Sequence, residues 1–123
     1  MFKRLVSILL LLLTLPAVAG ELEDALKTNS KIFLYMYTDN CTYCEKFKPI
    51  GNKLVQKYKK NCAVVKVDAA TSYGNKLMQE FGAFYVPNVM LIDYNKQTMK
   101  RVAPACMLTY ECIKDALEEF VNQ

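Results

Sequence analysis

Cys41 and Cys44 enclose the dipeptide Thr42-Tyr43, and this spacing is the part of the chain best suited to chemistry. Thiols three residues apart lie on adjacent turns of one helix face, where a disulfide closes with little backbone rearrangement. A cysteine that opens a helix also faces unpaired N–H groups and the positive end of the helix dipole, which stabilise its thiolate. Cys41 is therefore expected to be the nucleophile of thiol–disulfide exchange, with Cys44 resolving the mixed disulfide. The 123 residues contain no histidine. That excludes a Ser-His-Asp or Cys-His catalytic group, an imidazole acid or base, and a histidine-ligated zinc. A zinc site would have to draw on Cys62, Cys106 and Cys112, whose spacings do not form a second knuckle, so neither metal nor cofactor is expected. A merely structural role for the pair is disfavoured because so short a loop removes little entropy from the unfolded chain.

The elements that must position the pair are legible in the pattern. Ile32 to Tyr37 is an unbroken apolar and aromatic run, the mark of a strand buried on both faces. Thr38-Asp39-Asn40 then turns the chain into a helix over 41–60, with Phe47, Ile50, Leu54 and Tyr58 on one face and Pro49 inside it, where a kink is expected. A short helix over 21–29 precedes the strand. Ala63 to Asp68 reads as a second strand, 73–81 as a short helix, Asn88 to Asp93 and Thr98 to Val102 as a hairpin, and Thr109 as the N-cap of a final helix. A helical crossover makes the first two strands parallel, and the short connection makes the last two antiparallel. The expected fold is α/β, a central mixed sheet of about four strands with helices on both faces.

The N-terminus reads differently. Lys3 and Arg4 precede the apolar run Leu5 to Leu15, and Pro16-Ala17-Val18-Ala19 ends in a small-x-small pattern. These are the three parts of a cleavable signal peptide, so residues 1–19 are assigned to it and 20–123 to one domain. A retained spanning helix is the competing reading, but Thr14 and Pro16 interrupt the run before the roughly 20 apolar residues a span needs. Export to the periplasm or beyond follows, with no stable membrane insertion after cleavage. The whole-chain net charge of +4 drops by the two charges of Lys3 and Arg4. What remains is too small to argue for nucleic acid or anionic lipid, and Arg101 is then the sole arginine.

Taken together, 20–123 resembles a thioredoxin-fold protein. The likeness rests on C-x-x-C after a buried strand, on Pro49 five residues beyond Cys44, and on Phe81-Gly82-Ala83-Phe84-Tyr85-Val86-Pro87, which is similar to the segment leading into that family's cis-proline. The resemblance implies a cis Val86-Pro87 bond and a backbone edge at Val86 that pairs with a substrate's extended chain. It also implies protein thiols and disulfides as substrates, with the redox partner unknown. Three departures stand out: Asn40 replaces the family's tryptophan, Thr42-Tyr43 replaces Gly-Pro, and Tyr35 stands where the family carries a buried aspartate that takes the second cysteine's proton. Asp39, Glu45 or water would have to serve instead. C-T-Y-C also resembles the C-P-Y-C of glutaredoxins, which makes glutathione-linked chemistry an alternative. A soft-metal or chaperone-like module, holding Cu(I) on the same two sulfurs, is another.

Three cysteines remain. Cys106 is expected in the loop before the last helix and Cys112 in that helix's first turn, at the same end of the sheet as Cys41. They are candidates for a second disulfide stapling 103–108 to the helix; the competing reading is two small buried hydrophobes. Cys62, at the far end, is expected to be unpaired. Tyr43 and Tyr85 are candidates for an apolar rim beside the sulfurs, whereas Phe84 leans toward the core.

Overall fold

The computed structural model describes residues 20–123, so the expected signal peptide lies outside the described residues. Among them the order is α1 (Glu21–Thr28), β1 (Lys31–Tyr37), α2 (Thr42–Tyr58), β2 (Ala63–Asp68), α3 (Ser72–Glu80), β3 (Asn88–Asp93), β4 (Thr98–Arg101), α4 (Pro104–Met107) and α5 (Tyr110–Asn122). The strands form one sheet in the order β2-β1-β3-β4. β1 pairs parallel with β2, placing Tyr35 in register with Lys66, and antiparallel with β3, placing Tyr35 opposite Val89. The mixed four-stranded sheet is the architecture the sequence leads one to expect.

β1 is central, and its alternation divides the core in two. Phe33 and Tyr35 pack with Phe47, Leu54 and Tyr58 of α2 and with Ile113, Leu117 and Phe120 of α5. Ile32, Leu34 and Met36 face the other way, onto Leu22 of α1 and Leu77 of α3. Successive strand side chains point to opposite faces, so a strand covered by helices on both sides is apolar or aromatic at every buried position, here Ile32 to Met36. β4 lies at the sheet edge and is exposed throughout.

Two glycines carry specific backbone demands. A Cβ on Gly74 would sit 2.0 Å from the Asp68 carbonyl oxygen, so only glycine lets α3 pack so closely on the turn after β2. Gly82 has φ 61° just past the end of α3, and the Gly82 and Ala83 N–H groups donate to the carbonyls of Gln79 and Met78, closing the helix end.

The loop expected before the last helix holds the one-turn helix α4, and Cys106 lies inside it. Pro104 opens that turn with its φ already suited to a helix and with no N–H left unsatisfied. Four residues cannot display an apolar period, so nothing in the pattern signalled it. Pro49 stands inside α2, where it removes the N–H that the Glu45 carbonyl would otherwise receive.

Candidate active site

The strand-to-helix junction puts Cys41 at the N-cap of α2 with extended backbone, while Thr42 to Tyr58 continue as helix. Cys41 and Cys44 are joined by a disulfide with their Cα atoms 5.1 Å apart. The Cys44 backbone N–H donates to Cys41 Sγ at 3.0 Å, and the Glu45 N–H donates to the Cys41 carbonyl at 3.1 Å. Cys41 thus occupies the place where a capping oxygen normally satisfies the first N–H groups of a helix. A sulfur there, once reduced, faces the same N–H and the positive end of the helix dipole, both of which favour its thiolate over its thiol. Access separates the two sulfurs: Cys41 is half-buried, whereas Cys44 is only 5% exposed.

The Val86-Pro87 peptide bond is cis, as the resemblance implies. Pro87 is buried and Val86 half-buried, and they meet Tyr43 and Tyr85 in one groove of about 390 Å³. All four residues expected beside the sulfurs are therefore brought together. The opposite wall, unforeseen in its detail, consists of Pro104, Ala105 and Leu108. Its sequence signal was indirect, the placing of 103–108 near the rim through Cys106 and Cys112. Those two cysteines are disulfide-bonded, their Cα atoms 5.2 Å apart.

Phe84 corrects an expectation. It is 91% exposed and contributes to neither core cluster nor groove. Gly82 turns the chain out of α3, and the buried Ala83 and Pro87 anchor the loop on either side, so Phe84 and Tyr85 between them stand on the outside. Cys62 is unpaired and buried, and burial lifts its thiol to about 11, against a lesser downward pull from Lys31.

Cys44 borders a polar cleft of about 250 Å³, lined also by Tyr35, Tyr37, Asp39, Glu45, Lys48 and Lys66. Burial, with smaller contributions from Tyr37 and Glu45, pushes the Tyr35 hydroxyl up to about 12, so it remains protonated at neutral pH. The position of the family's buried aspartate is therefore filled by a group that cannot act as a base there. The carboxylates open to this cleft are Asp39 and Glu45, as the sequence suggested. Among the described residues no group of three or more Cys, Asp or Glu side chains is arranged to hold a metal ion. No described helix is long and apolar enough to cross a membrane.

Comparisons with known proteins agree with this geometry. Residues 19–117 match the family model described as TraF, F plasmid transfer operon protein. The chain is 30% identical over 83 residues to a thioredoxin of Mycoplasmoides gallisepticum, an overlap of 68% of this chain and 80% of that one. A mutant thioredoxin of Halobacterium salinarum superposes with a TM-score of 0.67 at 24% identity, covering 82% of this chain and 83% of the other. Oxidised mitochondrial thioredoxin 3 of Saccharomyces cerevisiae does so with a TM-score of 0.65 at 19% identity, covering 80% and 87%. With a Cys41-x-x-Cys44 pair at a helix N-terminus, a cis-proline sharing a groove with Tyr43 of that motif and these likenesses across most of its length, the chain belongs to the TraF family of thioredoxin-fold proteins and is a thiol–disulfide oxidoreductase.

Proposed function

We propose that the protein is exported and exchanges disulfides with protein substrates, Cys41 forming the mixed disulfide and Cys44 resolving it. The observation that carries this reading is the N–H bond from Cys44 to Cys41 Sγ on the more accessible of the two sulfurs. In the reducing direction the Cys41 thiolate attacks one sulfur of a substrate disulfide; that S–S bond breaks, and the departing substrate thiolate takes up a proton. Cys44, deprotonated, then attacks Cys41 Sγ and expels the second substrate thiolate. Two electrons pass to the substrate, and Cys41–Cys44 becomes a disulfide. The same steps reversed oxidise a substrate dithiol.

The groove formed by Tyr43, Tyr85, Val86 and Pro87 supports a polypeptide substrate, because it gathers an apolar surface around Tyr43, the residue between the two cysteines, and the family resemblance implies a backbone edge at Val86. Export is supported by the basic, apolar and small-residue parts of 1–19. Cys41→Ser is expected to abolish insulin reduction while the circular dichroism spectrum is kept; retained activity would refute the assignment. N-terminal sequencing of protein recovered from a bacterial periplasmic fraction is expected to begin at Gly20, and full-length protein confined to the cytoplasm would remove the export reading.

A further inference from the structure

The Cys106–Cys112 disulfide ties α4 to α5, and α4 supplies a wall of the groove. A single helical turn does not hold itself together, since the fixed dihedrals outweigh so few hydrogen bonds. Neither Ala103 nor Thr109, the N-caps of α4 and α5, makes a side-chain capping bond. The chain entering the turn is pinned at Val102, buried in the core with its N–H donating to the Val89 carbonyl, and within the turn two anchors act: Met107, fully buried, and the disulfide at the neighbouring Cys106. Pro104, Ala105 and Leu108 are exposed toward the groove, so their placement depends on how firmly those anchors orient the turn. One buried side chain fixes a point; a second covalent attachment also fixes the rotation about it. Cys112 is exposed, which opens this disulfide to attack by a thiolate from solution.

We propose that Cys106–Cys112 is a redox-sensitive specificity element: it holds Pro104, Ala105 and Leu108 as an apolar wall, and preference for extended apolar polypeptide beside the substrate disulfide lasts only while it is formed. The reductant is a dithiol. One of its thiolates attacks Cys112 Sγ, the S–S bond breaks, and Cys106 leaves as a thiolate that takes a proton. The second thiol of the reductant, deprotonated, then displaces Cys112 as a thiolate that is protonated in turn, and the reductant ends as a disulfide. Cys41 and Cys44 keep their chemistry, and the groove loses a wall.

This inference rests on the reading of Cys41–Cys44 as the active pair, and two experiments separate the fates of the two ideas. In the first, C106A/C112A is compared with the unmodified protein on insulin and on bis(2-hydroxyethyl) disulfide, which is too small to use the wall, both proteins being turned over by glutathione at a concentration at which mass spectrometry shows Cys106–Cys112 of the unmodified protein still formed. KM for insulin is expected to rise about fivefold, corresponding to roughly 1 kcal/mol of lost apolar contact, with kcat and the small-disulfide rate within twofold. An unchanged insulin KM, or an equal loss on both substrates, overturns the proposal. In the second, C41S/C44S, which keeps only the second disulfide, is reduced with dithiothreitol and followed by amide hydrogen exchange. Exchange across Ala103 to Thr109 is expected to accelerate tenfold or more, with β1 and β3 unaffected; equal protection before and after reduction overturns the proposal. The exchange experiment needs no catalysis, so an unmodified protein inert toward insulin would refute the active-pair reading and leave this result to decide the second.

Discussion

Tyr35 of β1 lies in register with Lys66 of β2, and both side chains line the cleft that borders Cys44. A phenol that stays protonated, in a cleft that also holds the Lys66 ammonium, replaces the carboxylate that the thioredoxin resemblance leads one to expect there. The difference bears on the second half of the exchange, when buried Cys44 must give up its proton. A nearby cation favours the thiolate, and a protonated tyrosine neither accepts the proton nor repels the charge. Lys66 and Lys48 are thus placed to ease ionisation of Cys44, and Asp39 and Glu45 to receive the proton.

Lys66→Met is expected to move the pH midpoint of mixed-disulfide resolution upward, and only modestly because the ammonium is solvent-screened. The sign follows from removing a cation: the thiol ionises at higher pH, so the rate at neutral pH falls and recovers in alkali. Stopped-flow resolution of a Cys41 mixed disulfide across pH 6 to 10 measures it, and a downward or absent shift removes Lys66 from the step.

Tyr43→Ala tests the groove. Tyr43 is 55% exposed, so its free ring offers contact area to a substrate. Loss of about 1 kcal/mol of apolar burial is expected to raise KM for insulin about fivefold while sparing a small disulfide. Steady-state kinetics on both substrates provide the comparison.

Cys62 should resist modification. With its thiol raised to about 11, only about one molecule in a thousand carries the thiolate at pH 8. Iodoacetamide is expected to label no cysteine in the folded, oxidised protein and one in denaturant, as read by mass spectrometry. The same shift makes a stability statement. The folded state binds this proton more tightly than the unfolded chain, so the contribution is complete below the ordinary thiol range and is lost as pH climbs toward 11. Cys62→Ala should lessen the alkaline fall in the urea midpoint.

Gly74→Ala is expected to destabilise the domain by about 2 kcal/mol or more, in the range of an overpacked core site. Its new Cβ would meet the Asp68 carbonyl oxygen at 2.0 Å and the Ala69 Cα at 2.9 Å, both backbone atoms with little freedom to withdraw. Urea unfolding of the two proteins measures the difference.

What could be read from the sequence followed physical rules of different reach. β1 was legible because burial on both faces leaves a continuous apolar run, and Cys41–Cys44 because spacing and a helix start are local facts. Phe84 was misjudged because a large apolar side chain carries no sign of which way a loop turns. The Tyr35–Lys66 pairing depends on the register between two strands separated by a whole helix, which no local pattern encodes. Pro104 and Leu108 became groove residues only through the turn of α4, and a four-residue helix is too short to declare a period.

The central place of β1 has a consequence for the order in which the molecule can be assembled. Synthesised from the N-terminus, β1 emerges early, yet its two neighbours are β2 and β3, the latter ending at Asp93. Until most of the chain is available, a strongly apolar strand has both edges unpaired, a condition that invites association with other chains. Cys41 and Cys44 follow directly on that strand, so they are present before Pro87 and α4, which later border them, have been made. The nascent chain therefore offers its reactive thiols, beside its stickiest segment, to whatever thiols and disulfides surround it, before the residues that select a substrate exist.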